Sequence, residues 1–396
     1  MQYKRGIYNK ILETSRHFPA LLLTGARQTG KTTLLKEAFP NHRYISLDLP
    51  SDAELAENDP EEFFRRYPPP LFIDEVQYAP KVFRHLKRII DQDRHTPAQF
   101  ILTGSQKFPL MKGISESLTG RCVWLELETL SSHETNFDYK DPLSKIRTLI
   151  TGGFPDLWRD PLIPKRDYFR TYLATYIERD LRQILNITNL RDFERFIRAA
   201  AARNGQLLNK ADLAKDVGVT AKTISDWISV LEASNQIVLL EPYFTNIGKR
   251  IIKSPKLYFN DTGFLCYLLG IQEENFESSP FTGSLWETFI FSELRKYLSW
   301  SNLEQSLYFY RDQEGREIDF LLYAAGKVHL IEAKWTETPN AKDARSMNEL
   351  REIILNKKRR DLTIQSQWVV CRMPTDYPLS STTQAISGFK LFDLLN

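Results

Sequence analysis

Cysteine is scarce: 396 residues contain only Cys122, Cys266 and Cys371, odd in number, far apart and in no C-x-x-C pair. Neither a disulfide framework nor a cysteine zinc site follows from them. The six histidines show no ligand spacing. Glycine and proline, 17 and 20 residues, are too sparse for a collagen-like or dominantly disordered chain, and 42% hydrophobic with 26% charged residues is the balance of an ordinary folded one. Long apolar runs are missing too. The longest early run, Ala20 to Leu23, is far short of the ~7–15 residues of a signal core or the ~20 of a membrane span. The expectation is a soluble cytoplasmic protein with no membrane partner. No internal repeat or low-complexity tract is present.

Net charge is also small, 53 Lys and Arg against 50 Asp and Glu, or +3. Its distribution is uneven: residues 160–260 carry +5 and residues 261–396 carry −4. A basic middle hints at an anionic partner, although a solvated helical surface explains it equally. At ~100–200 residues per domain, the length implies two or three domains.

In the first third, the apolar runs Ala20–Thr24, Tyr44–Leu47, Leu71–Ile73 and Phe100–Thr103 are short, unbroken and bounded by Gly, Pro or Asp. They read as buried parallel strands, with helix-like stretches at Thr32–Ala38 and Val82–Asp91 between them. This alternation predicts an α/β three-layer domain over residues 1–130. From Asp156 to about Ala202, Tyr168, Tyr172, Leu173, Tyr176, Ile177, Leu181 and Ile184 recur at helical spacing, so 131–205 reads as a helical linker or lid. Residues 206–262 read as short helices followed by two strand-like runs. The remainder, 263–396, reads as α+β, with a helix over Trp286–Tyr297 ahead of the strand-like LYFYRD, EIDFLLY and VHLIEAKW.

Residues 25–32, GARQTGKT, complete a G-x-x-x-x-G-K-[ST] pattern directly after a strand and before a helix. Gly25 and Gly30 let the backbone turn its N–H groups toward a β-phosphate, Lys31 reaches the β and γ oxygens, and the Thr32 hydroxyl faces Mg²⁺. The candidate ATP contacts are Gly25, Ala26, Arg27, Gln28, Thr29, Gly30, Lys31, Thr32 and Thr33. Forty-three residues beyond Lys31, the strand of LFIDEVQ ends in Asp74 and Glu75. Asp74 is expected to hold Mg²⁺ and Glu75 to act as general base on the attacking water. A solvated strand end also yields such a pair, but the partnership with the loop favours catalysis.

A third strand, FILTGS, ends in Thr103, Gly104 and Ser105, where a polar side chain can contact the γ-phosphate or the attacking water. The order GARQTGKT, LFIDEVQ, LTGS, SLTGR resembles the AAA-type P-loop ATPases, in which Ser105 would stand at the sensor position. That resemblance makes Arg121 of SLTGR a candidate arginine finger or sensor, acting on its own nucleotide or on that of a neighbour in a homo-oligomer; a helix-capping arginine is the equal alternative. With GGFP at 152–155 and YIERDL at 176–181, nearly the whole chain resembles a large prokaryotic family of AAA-type ATPases with a carboxy-terminal domain of unassigned function.

Residues 206–234 place Leu213, Ala214, Val217, Val219, Ile224, Trp227, Ile228 and Leu231 so that one helix packs across another around a turn at Gly218. Thr220 would cap the second helix, with Lys222, Thr223, Ser225 and Asp226 on its early turns. Gly248, Lys249, Arg250 and Lys253 would form a basic wing. The segment resembles a winged helix-turn-helix, which implies DNA as a partner; use as a lid or protein contact is the alternative.

In EIDFLLYAAGKVHLIEAKW, Asp319 precedes Glu332 and Lys334 by thirteen and fifteen residues, and alternation puts Glu332 and Lys334 on one strand face. Two carboxylates can share Mg²⁺ while the lysine activates water. The pattern resembles the D…(D/E)-x-K core of restriction-endonuclease-like nucleases, and Glu287 matches the extra helical acid that some of them carry. Acids and lysines at strand ends are also common without catalysis. Arg179 and Arg182 of YIERDLRQ read as an ion-paired helix surface, with nucleotide or DNA contact as the alternative, and KKRR at 357–360 reads as a solvated turn or a phosphate patch. The combined expectation is a Mg·ATP-hydrolysing ATPase that couples nucleotide state to DNA binding or processing. The alternative is a nucleotide-gated interaction or regulatory protein with an inactive C-terminal domain.

Overall fold

The run ALLLT is apolar on both alternating faces, so the strand it forms can only lie inside a sheet covered on both sides. The structure, a computed structural model, describes residues 3–105, 110, 113–114, 117–135, 141–176, 190–243, 254–356 and 362–395. It divides into two units, the first made of residues 1–130 with 154–159 and 233–236.

In the first unit, α1 (Tyr8–Ser15) leads into β1 (Ala20–Thr24), every residue of which is buried. The order continues α2 (Lys31–Ala38), β2 (Arg43–Ser46), α3 (Pro50–Asn58), α4 (Pro60–Arg66), β3 (Leu71–Asp74), α5 (Val82–Gln92), β4 (Phe100–Gly104) and β5 (Cys122–Glu126). All five strands are parallel, in the order β2–β3–β4–β1–β5. The α/β architecture expected for residues 1–130 is therefore present, with strands within a residue or two of their predicted places. Helix α5 lays Phe83, Leu86 and Ile90 on a core that includes Leu22, Ile73 and Leu102. Helices α3 and α4 were not anticipated. Asp59 starts α4 by accepting from Glu62 N–H at 3.0 Å, with Pro60 at its first position.

The second unit opens with α6 (Pro142–Thr151), capped by Asp141, which accepts from Leu143 and Ser144 N–H. The chain then returns to the first unit for α7 (Pro155–Arg159). Helices α8 (Lys165–Tyr176), α9 (Leu190–Ala201), α10 (Lys210–Val217) and α11 (Ala221–Ala233) follow in the region expected to be helical. Ile177, Arg179, Leu181, Arg182 and Ile184 lie outside the described residues. Gly218, at φ +83°, adopts the left-handed turn between α10 and α11 that a side chain would disfavour. Thr220 accepts from Thr223 N–H at 3.1 Å, as the sequence predicts. Trp227 of α11 packs against Phe193 and Phe196 of α9 at 5.4 and 5.3 Å between ring centroids.

Strands β6 (Ile237–Leu240) and β7 (Lys256–Phe259) pair antiparallel. Gly248, Lys249, Arg250 and Lys253 lie outside the described residues. Next come α12 (Thr262–Leu269), capped by Asp261, and α13 (Thr282–Trp300). The rest is β8 (Ser306–Arg311), β9 (Glu317–Ala324), β10 (Lys327–Ala333), α14 (Arg345–Asn356), β11 (Thr363–Cys371), β12 (Tyr377–Pro378), β13 (Gln384–Ser387) and α15 (Leu391–Leu395). The segment 357–360 is outside the described residues. The six strands make one mixed sheet, β12–β13–β11–β10–β9–β8, in which β8, β9 and β10 are antiparallel and β10, β11 and β13 parallel. Among the described residues, no helix is long and apolar enough to cross a membrane.

Trp286 of α13 is fully buried, donates from its indole to Val370 O at 3.0 Å and meets the rings of Phe289, Trp335 and Phe389. Trp286→Ala should cost about 3–5 kcal/mol in urea unfolding of the second unit. A loss below about 1 kcal/mol would show that this cluster does not organise the core.

Candidate functional site

The phosphate-loop motif lies between the end of β1 and the start of α2. Gly25 sits at φ +151°, and a Cβ there would fall 2.3 Å from the carbonyl oxygen of Leu127, so the position admits no side chain. The ammonium of Lys31 is buried and donates to Gly25 O at 2.9 Å and Ala26 O at 2.8 Å. Thr29 Oγ1 closes the turn by donating to Ala26 O at 2.9 Å. Arg27 donates to the Tyr78 hydroxyl at 3.4 Å. From the N-terminal segment, buried Arg5 donates to Thr29 O at 2.8 Å and Glu128 O at 2.7 Å, tying the loop to the end of the sheet. Sequence reasoning missed Arg5, because nothing local distinguishes it from a surface arginine.

The strand order inserts β4 between β1 and β3, so the polar end of β4 lies between the loop and the acidic pair. Asp74 is buried and accepts from Thr32 Oγ1 at 2.8 Å, from the Tyr44 hydroxyl at 3.0 Å and from Thr103 Oγ1. Burial, and then the Asp74 carboxylate, push the Tyr44 phenol up to about 12. Thr32 and Asp74, the two residues expected at Mg²⁺, are thus side by side, and both offer the hard oxygen that this ion takes. Glu75 adopts a left-handed backbone, φ 56° and ψ 46°, unusual for a residue with a side chain and typical of strained functional positions. Its N–H donates to Thr103 Oγ1 at 3.2 Å, and its carboxylate accepts from Gln77 and from Ser105 Oγ, the latter at 3.4 Å. Tyr44, Thr103 and Gln77 complete the setting of the acids predicted from sequence.

Beside the loop is a cavity of about 280 Å³ lined by Tyr3, Arg5, Gln28, Thr29, Gly30, Thr33, Leu34, Glu37, Leu130, Pro155, Asp156 and Arg159. Arg159, unforeseen from sequence, pairs with Asp156 at 2.9 Å.

Arg121 is not brought to this site. Register pairs Ala20 with Cys122 and Thr24 with Glu126, so Arg121 precedes β5 at the end of the sheet away from the phosphate loop. It forms a two-point ion pair with Asp91, at 2.6 and 3.1 Å, which holds that carboxyl below its ordinary value. The expectation that Arg121 senses its own chain's nucleotide is corrected on this ground.

In the second unit, a two-residue turn between β9 and β10 sets a register in which Phe320 faces Ile331. Asp319 and Glu332 are therefore adjacent, and Ala333 N–H donates to Asp319 Oδ2 at 2.9 Å. Lys334 pairs with Glu332 at 2.7 Å. Glu287 of α13 joins the cluster through a residue that the sequence reading did not single out, Lys256 of β7, at 3.0 Å. Burial and the neighbouring Asp319 push Glu287 and Glu332 well above the ordinary carboxylate range, against the pull of Lys256 and Lys334 respectively. Among the described residues, no three acids, histidines or cysteines are arranged to hold a metal ion. The Mg²⁺ expected on Asp319, Glu332 and Glu287 does not fit this arrangement, because the cation that Glu287 and Asp319 face is an ammonium. On α11, Lys222 and Asp226 are exposed, while Ser225 accepts from Lys210 at 2.9 Å.

Comparison with known proteins divides the chain in three. An AAA domain matches residues 17–136, a domain of unknown function (DUF8612) residues 145–275, and another (DUF4143) residues 282–388. Uncharacterized proteins of Mycobacterium bovis and Mycobacterium tuberculosis are each 32% identical over 383 residues, spanning 93% of this chain and 80% of theirs. Among solved structures, a Walker-type ATPase of Pyrococcus abyssi is 14% identical with a TM-score of 0.46, over 67% of this chain and 96% of that one. A Holliday junction branch migration motor of Thermotoga maritima is 18% identical with a TM-score of 0.32, over 60% and 90%.

The placement of Arg121 is testable in dilute protein. Arg121→Ala should leave ATP turnover within about two-fold of wild type, because the side chain is engaged by Asp91 and by the Thr119 carbonyl at the opposite end of the strand. A drop of about 10³-fold or more would mean that it reaches the nucleotide of a neighbouring chain.

Proposed function

The chain belongs to one family with these two mycobacterial proteins, and from that premise we propose that it is a Mg²⁺-dependent ATPase whose nucleotide state governs binding of DNA by its middle segment. The AAA domain supports nucleotide binding and hydrolysis. The observation that carries the reading is the 2.8 Å bond from Thr32 to Asp74, joining two elements 42 residues apart beside the buried Lys31. Lys31 exchanges the carbonyls of Gly25 and Ala26 for β and γ phosphate oxygens. Thr32 and Asp74 would hold magnesium, which would neutralise charge at the phosphate oxygens. Glu75, oriented by Gln77 and Ser105, takes the proton of the attacking water.

DNA as the partner is supported by the order of three helices and a hairpin, α9, α10, α11, β6 and β7, that of a winged helix, and by the basic excess of residues 160–260. A restriction-endonuclease-like fold for the C-terminal part is supported by the succession α13, β8, β9, β10, α14, β11 and by the adjacent Asp319 and Glu332. One observation favours the second reading, in which the C-terminal part is catalytically inactive and the protein works through binding: Lys256 lies among the acids.

Lys31→Ala should lose both ATP affinity and turnover, whereas Glu75→Gln should retain bound ATP and turn over about 10²-fold or more slowly. Wild-type hydrolysis by either variant refutes the site. DNA affinity with ATP and Mg²⁺ present should fall steeply and linearly with the logarithm of salt, and Lys222→Ala should reduce that slope by about one. Absence of any DNA shift at low salt removes DNA from the proposal.

A further inference from the structure

Lys256 is the first residue of β7 and one of the largest fully buried side chains in the protein. Strand alternation puts it on the same face as Tyr258, and both reach Glu287: the ammonium at 3.0 Å, the phenol through its hydroxyl. The same ammonium lies 2.5 Å from Glu317 and 3.8 Å from Asp319, with the ring of Phe309 centred 5.6 Å away. Glu317 also pairs with Arg311 at 3.0 Å. A lone ammonium is costly to bury. Here three carboxylates surround it, and although burial alone would lower its proton affinity, Glu287, Asp319 and Glu317 hold it above the ordinary lysine value.

Magnesium asks for oxygens at about 2.0–2.1 Å in an octahedron, whereas an ammonium accepts neighbours at hydrogen-bond distance and offers three protons. The ammonium already neutralises charge and takes up acceptor sites of Glu287 and Glu317 that a divalent ion beside Asp319 would draw on. Glu332, its side chain 12% exposed, adds a second sign: its Oε2 has no hydrogen-bond partner among the described residues. The cluster thus has acceptor capacity to spare, yet its shared positive charge is supplied by the chain itself. We infer that Lys256 is the resident cation of the C-terminal acid cluster, stapling Glu287, Glu317 and Asp319 together and closing the cluster to divalent metal. The staple also spans two family segments, since Lys256 falls within the match at 145–275 and the acids within the match at 282–388. It stands apart from the nucleotide reading, so either can fail alone.

The test is a Mn²⁺ titration of the full chain without nucleotide, read by the paramagnetic resonance of free Mn²⁺, in an Asp74→Asn background that silences the phosphate-loop site. The parent should bind no Mn²⁺ that Asp319→Asn removes. Lys256→Met should gain one Mn²⁺ at least tenfold tighter than any binding by the parent, and adding Asp319→Asn should abolish the gain. Lys256→Arg, which keeps a cation in place, should behave as the parent. Circular dichroism reports whether each variant is folded. The inference is overturned if the parent binds Mn²⁺ and Asp319→Asn abolishes it, or if folded Lys256→Met gains nothing. Should Lys256→Met not fold, the parent with and without Asp319→Asn decides alone.

Discussion

A single carboxylate, Asp74, accepts hydrogen bonds from Thr32 on α2, Tyr44 on β2 and Thr103 on β4. Three elements distant in sequence meet on one buried group, and each supplies a hydroxyl that satisfies an otherwise costly desolvated charge. In the sheet β4 stands between β1 and β3, and the ends of all three strands converge there. Glu75, in its left-handed backbone, and Ser105, which donates to it, lie at the same strand ends. Chemistry at the site is therefore set by sheet order as much as by motif.

The two units solve the problem of buried acid in opposite ways. Around Asp74 the partners are neutral hydroxyls, which can give way to a metal ion and its waters without stranding a charge. Around Glu287, Glu317 and Asp319 the shared partner is a tethered ammonium, whose withdrawal would leave Glu287 and Asp319 without it and Glu317 with Arg311 alone. The first environment suits a site that exchanges ligands in each turnover. The second suits a contact that persists.

Legibility in the sequence follows the range of the interactions. GARQTGKT and the acidic end of LFIDEVQ were readable because a strand, a turn and a helix start are local, and their residue types are dictated by phosphate and metal chemistry. The strands of the first unit were readable because continuous apolar runs have few other uses. Arg5, Tyr44 and Lys256 were not readable, since each matters through a partner dozens to more than a hundred residues away. Arg121 shows the reverse error: its motif follows the nucleotide motifs in sequence, but strand direction carries it to the far end of the sheet. Strand β11 was missed because Gln365 and Gln367 interrupt its apolar run, although Gln367 is buried.

The chain leaves the first unit at Leu130 and comes back for Phe154–Arg159, which supplies Pro155, Asp156 and Arg159 to the wall of the cavity beside the phosphate loop. The nucleotide-binding unit is thus discontinuous in sequence. A fragment cut at Leu130 would keep every motif residue from Gly25 to Ser105 and still lack one side of the cavity. That wall of the cavity is thus built from a six-residue stretch whose neighbours on both sides in sequence belong to the other unit, so no contiguous amino-terminal fragment free of the other unit can supply it.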